Sequence, residues 1–132
     1  MLVASGTVSA GTYTPIEIRT VGQNTIFNVN FIDDIWTGTI AGLASNEVKA
    51  TINPSGANIH ILFTVIGEVN GRSGTLTIEF QGNAEGGPGT LFEGTWRILS
   101  GTEDLENLNG GGDFQGIAGV IATYSGIIHF NP

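Results

Sequence analysis

The chain has 132 residues, a formal net charge of −8, and 21 glycines against four prolines, with no cysteine. That length predicts one domain over residues 1–132, able to bury a core without disulfide or metal. Without cysteine there is no thiolate catalysis and no cysteine-ligated zinc or iron–sulfur cluster. The acidity argues against nucleic acid and anionic membrane as partners, since Arg19, Lys49, Arg72 and Arg97 are the only cations.

The opening Met1-Leu-Val-Ala-Ser-Gly-Thr-Val8 has neither the basic start nor the apolar run of a secretory signal. No window reaches the roughly 18 apolar residues of a membrane helix. The expected location is therefore the cytoplasm, with the charge keeping an otherwise apolar chain soluble.

Period two dominates the pattern, and no long segment carries helical periodicity with caps. Val3 to Tyr13 reads as a first strand with gaps, and Pro15 separates it from a continuation over Ile16 to Val21. A turn at Gly22-Gln-Asn24 leads into Ile26 to Ile32, which sets Phe27, Val29 and Phe31 on one face. Asp33-Asp34 breaks that strand, which resumes from Trp36 to Ile40. Gly42 to Asn46 reads as a connector. Glu47 to Asn53 then alternates with Val48, Ala50 and Ile52 inward, and Pro54-Ser-Gly56 closes it.

The clearest element is a hairpin over Ile59 to Phe80. Its Asn70-Gly71 pair can take the positive φ angles of a type I′ turn. After the Gly86-Gly-Pro-Gly89 loop come strands at Leu91 to Leu99, Asp104 to Leu108 and Val120 to Phe130, with Gly110-Gly-Gly112 as a loop. About eight strands with frequent turn signals indicate an all-β chain, an antiparallel meander closed into a small barrel or folded as a sandwich. Gly38, Gly67, Gly94 and Gly126 are expected to be bend points within it.

The segment Gly67-Glu-Val-Asn-Gly-Arg-Ser-Gly74 resembles the hairpin of a family of small bacterial proteins of unknown function. Those proteins are similar to allene oxide cyclase in having an eight-stranded barrel. Further pieces follow in the family's order: Gly94-Thr-Trp96, Ser100-Gly-Thr-Glu-Asp-Leu105, Leu108 with Gly110 and Gly112, and Tyr124-Ser-Gly-Ile-Ile-His-Phe130. The resemblance covers residues 60–130 and implies an allene oxide cyclase-like closed barrel. The chain departs from the family pattern at Phe63-Thr64, where a Glu-Arg pair is usual, and at Phe80, where histidine is frequent. The loop after Trp96 is also shorter.

The resemblance implies a cofactor-free cyclase or isomerase acting on a small apolar substrate, chiefly by shape and orientation. Phe27, Phe80, Trp96 and Tyr124 would wall its lumen, because they lie on the more apolar strand faces. Four side chains are candidates for acid–base work. His60 and His129 are the only groups that ordinarily titrate near neutrality. Glu79 and Glu93 form a constellation with Arg97 across adjacent strands. Each has a simpler reading, the histidines at a rim or on the outside and Arg97–Glu79 as a surface ion pair. Asp33-Asp34 and Glu103 to Glu106 lack calcium-loop spacing and read as solvated turns. Ser73 has no strand–elbow–helix context and Gly110-Gly-Gly112 precedes no helix, so neither a nucleophile nor a phosphate cradle is expected. No metal site and no cofactor are expected.

Strands 59–66 and 117–130 are apolar on both faces, which calls for cover on the outside as well as inside. A homodimer or homotrimer supplies it most simply. Two further functions stand beside the cyclase: a non-catalytic carrier of a small apolar molecule, and an interaction module whose barrel is packed solid.

Overall fold

The computed structural model describes residues 2–131. They form nine antiparallel strands in a single sheet: β1 (Leu2–Ser9), β2 (Thr12–Val21), β3 (Asn24–Trp36), β4 (Ile40–Asn53), β5 (Gly56–Val69), β6 (Arg72–Ala84), β7 (Leu91–Gly101), β8 (Leu108–Ile117) and β9 (Ile121–Phe130). Their order is β1-β9-β8-β7-β6-β5-β4-β3-β2, and β1 also pairs with β3, so the sheet closes on itself as a ring. Among the described residues no helix is long and apolar enough to cross a membrane.

The hairpin lies where its turn chemistry puts it: Asn70 and Gly71 have φ of 52° and 80°, and Val69 pairs with Arg72. Several boundaries differ from the sequence reading. β3 runs through Asp33-Asp34 without a break, and residues 37–39, Gly38 among them, form a turn rather than a strand. Gly42 to Asn46 lies inside β4, not in a connector, and Gly110 to Gly112 lies inside β8, not in a loop. Glu103–Leu105 is a short 3-10 turn where a strand was expected. Glycine-rich segments carry no strand propensity, so nothing local marked them as β. What fixes them is close approach between backbones. Gly112 faces Gly126 across the ladder, and a Cβ on Gly126 would lie 2.2 Å from the carbonyl oxygen of Gly111.

The ring closes at a seam between β1 and β3, where Val8 pairs with Trp36 and Ser9 with Ile35. The β3–β4 turn extends it: Thr37 and Thr39 donate backbone N–H groups to Thr7 and Ser5, at 2.9 and 3.0 Å. Tyr124 on β9 reaches across as well. Its hydroxyl donates to Thr37 O at 2.7 Å and accepts from the buried Ile40 N–H at 2.9 Å.

Beyond the seam, β2 continues the path of β1 along the same edge of β3. Thr12 pairs with Ile32 in the register that Ser9 and Ile35 already set. The interruption therefore falls at Ala10-Gly11 rather than at Pro15, which sits only at a local bulge within β2. All ten residues of β2 are exposed.

Inside the ring, aromatic side chains fill most of the space. Trp36 packs edge-on against Phe63 at 5.3 Å, and Phe114 touches Phe80 at 4.9 Å and Phe92 at 5.9 Å. Such contacts add about 0.5–1.5 kcal/mol each beyond the area they bury.

Candidate functional site

At one end of the ring the aromatic filling stops and a cavity of about 230 Å³ opens. Its floor includes Phe63 and Phe114. Its wall runs up Val48, Ala50 and Ile52 of β4 and Ile59 and Ile61 of β5, and continues onto Phe27 and Phe31 of the neighbouring β3. The 86–88 and 118–120 loops form the rim. Alternation explains the wall: Val48 pairs with Ile61 and Ala50 with Ile59, so these positions share the inner face.

One charged side chain enters this apolar setting. Asp34 is 1% exposed and is the only buried charged residue among the described residues. It accepts a hydrogen bond from the backbone N–H of Gly11 at 2.8 Å and a second from the Asn46 amide nitrogen. The Asn46 Oδ1 is buried and has no partner. Burial pushes the Asp34 carboxyl above the usual carboxylate range, the two hydrogen bonds pull against that, and the neighbouring charge of Asp33 adds to the rise.

Local backbone geometry puts Asp34 there. Asp33 has φ of 61°, and the β3–β4 register slips by one residue between Phe31 and Asp34. This bulge lets both Phe31 and Asp34 face inward, although they are three apart. At the same level the partner strand is interrupted, and Gly11 N–H bonds the Asp34 carboxylate. The side chain thus stands in for a ladder acceptor at the break between β1 and β2. The expectation that Asp33-Asp34 is a solvated turn fails, since both lie within β3; Asp33 is solvated there at the bulge and Asp34 is buried.

The sequence-derived candidates fall elsewhere. His60, Glu79 and Arg97 come together on the outer face. Glu79 Oε2 lies 3.0 Å from His60 Nε2, and Arg97 Nε donates to Glu79 Oε1 at 2.8 Å. The hydrogen bonds from His60 and then Arg97 hold the Glu79 carboxyl below its ordinary range. Glu93 and His129 are exposed on outer positions of β7 and β9, apart from this trio. Of the four aromatic wall candidates, Phe27 lines the cavity. Phe80, Trp96 and Tyr124 point inward but belong to the packed interior, with Trp96 and Tyr124 in edge contact at 5.8 Å. No group of three His, Asp or Glu side chains among the described residues is arranged to hold a metal ion.

Sequence reasoning missed Asp34, yet a signal was present. Phe27, Val29 and Phe31 occupy odd positions and Trp36 an even one. For all four to be inward, the strand must change phase between 31 and 36, and an aspartate at the change can be carried in with it.

A model of a family described as proteins of unknown function, DUF3224, matches residues 3–125. A crystal structure of a DUF3224 protein of unknown function from Shewanella oneidensis MR-1 superposes with a TM-score of 0.79 at 18% identity, covering 100% of this chain and 98% of that one. At that identity the likeness is one of fold. No curated protein matches the chain.

Proposed function

We propose that this chain, which belongs to the DUF3224 family of proteins of unknown function, holds a small, mostly apolar molecule in the cavity beside Asp34, within an allene oxide cyclase-like barrel. The observation that carries this reading is the pairing of an apolar hollow of about 230 Å³ with a single buried carboxylate on its wall. Binding sites of this kind combine apolar lining with a few placed polar groups. Most of the ring interior is filled, so the occupant sits at one end rather than along the axis.

A catalytic reading, as a cofactor-free cyclase or isomerase, draws support from the same carboxyl. A group raised by burial beside a hollow is suited to passing a proton to or from a bound substrate. The outer-face trio is open to solvent, with His60 and Arg97 side chains 41% and 68% exposed, and is read as a surface ion-pair network. Outside the ring, Ile35, Leu43 and Ile66 are 49%, 55% and 68% exposed and lie opposite one another on β3, β4 and β5. A second copy of this chain is our choice of cover for that row, and the cytoplasm our choice of compartment.

Native mass spectrometry of the purified protein, with identification of anything released, tests the binding. An Ala50→Phe variant, which puts a ring into the hollow, serves as control. The expected result is an apolar small molecule bound by the wild type and excluded by the variant. A wild type that flies empty, and stays empty after incubation with an apolar panel, would overturn the reading.

A further inference from the structure

The polar groups inside the cavity are weighted toward acceptors, and that weighting points to the chemistry of the occupant. Asp34 brings two acceptor oxygens, each already using one lone pair on Gly11 and Asn46. Beside it the Asn46 Oδ1 is shut away from water without a partner. With Asp34 ionised this amide has one workable orientation, because turning it over would set oxygen against oxygen. Apart from the Tyr13 hydroxyl and the second N–H of the Asn46 amide, the polar side-chain capacity left free on the lining is therefore acceptor.

Among the described residues no cation pairs with the carboxylate. Arg19 pairs with Glu17, Lys49 with Glu47 and Arg97 with Glu79, while Arg72 lies 4.0 Å over the Phe130 ring. A buried charge without a counterion is costly, and that cost is relieved when a bound cation arrives with hydrogen bonds to give. A metal ion fits poorly. Calcium takes six to eight oxygens, whereas two side chains here supply three. An organic cation fits better, because the same lining presents ring faces. Tyr13 and Phe31 lie 5.9 Å apart on the wall, with Phe27 on the same strand face. The chain's net charge of −8 also raises the local concentration of cations.

Resting on the cavity reading above, we propose that the occupant is a small apolar amine, its ammonium donating to Asp34 and to Asn46 Oδ1 while its apolar body fills the space between β3, β4 and β5. The site thereby selects amines over alcohols and acids of the same shape.

Three probes sharing one body test this by calorimetric titration at neutral pH: 2-phenylethylamine, 2-phenylethanol and ethylbenzene. The wild type is expected to bind the amine roughly tenfold or more tighter than the alcohol, since charge-assisted hydrogen bonds are about twice as strong as neutral ones. In Asp34→Asn the amine should lose that advantage while the alcohol keeps its affinity. If the alcohol or the hydrocarbon binds as well as the amine, the amine assignment falls and the apolar cavity reading stands. If amine binding is unchanged in Asp34→Asn, the assignment falls as well. If none of the three binds, both readings fall. The wild-type ratio decides the matter even should the variant fold poorly.

Discussion

Tyr124→Phe isolates what holds the ring shut. The substitution removes one oxygen and leaves a ring that can keep its place against Trp36 and Trp96, at centroid distances of 5.1 and 5.8 Å. Three backbone groups lose a partner, the weakest of them Ile40 O at 3.2 Å. Thr37 O is on an exposed residue, so water replaces the phenol there. The Ile40 N–H is buried and has nowhere to turn. An unsatisfied buried donor costs about 1–3 kcal/mol. At about 4 °C per kcal/mol for a chain of this size, the melting temperature should fall by roughly 4–12 °C. The assay is thermal unfolding by circular dichroism, paired with amide hydrogen exchange. The Ile40 amide, protected in the wild type, should exchange faster in the variant, with little change in the β5–β6 hairpin. An unchanged melting temperature together with an unchanged Ile40 exchange rate would refute the idea that this hydroxyl latches the seam.

Asp34→Asn should be neutral or stabilising at pH 7, because it deletes a buried charge. The Asn46 amide can then turn over, so that both amides and Gly11 N–H are paired. Asp34→Ala strands those groups and should destabilise by about 1–3 kcal/mol in chemical denaturation. With the folded-state carboxyl raised, the wild type gains on Asp34→Asn as pH falls through that raised value and loses on it as pH rises; a pH-independent difference would contradict the burial. Glu79 runs the other way. Its folded-state carboxyl is lowered, so its contribution is present above the ordinary carboxylate range and fades as pH falls through the lowered value. Wild type and Glu79→Gln should accordingly converge in acid when their urea midpoints are compared. Leu43→Lys with Ile66→Lys should turn a dimer or trimer into a monomer by light scattering, and a monomeric wild type would sink the proposed self-association. Gly126→Ala needs backbone displacement at Gly111 and Gly112 and should cost about 1–3 kcal/mol in the same denaturation experiment.

Where side-chain patterning fixes structure, the sequence was readable. Asn70-Gly71 announced its hairpin, Phe27, Val29 and Phe31 announced an inner face, and Val48, Ala50 and Ile52 announced the wall of the cavity. The doubly apolar strand 59–66 was also read truly: Phe63 and Val65 are buried, while Leu62 and Ile66 are exposed. What failed depends on pairs of strands rather than on one. Gly42 and Gly112 look like loop residues singly and become strand only where their backbones nearly touch those of Gly67 and Gly126. Asp34 failed for a related reason. Alone it is a turn residue, and it goes inward only because a bulge on β3 coincides with an interruption between β1 and β2. The histidines and glutamates that suit acid–base work by chemical type, His60, His129, Glu79 and Glu93, all lie on the outside.

The position of β1 has a consequence for the closing of the ring. Strands β2 to β9 follow one another as sequence neighbours, so each pairing closes a short stretch of chain. β1 alone sits between strands from opposite ends of the sequence, with Leu2 beside Ile128 on one edge and Val8 beside Trp36 on the other. Long loops cost entropy before they return any contact. β1 is therefore the keystone of the ring: its pairing with β9 spans nearly the whole chain and carries the largest loop-closure cost of any in the sheet.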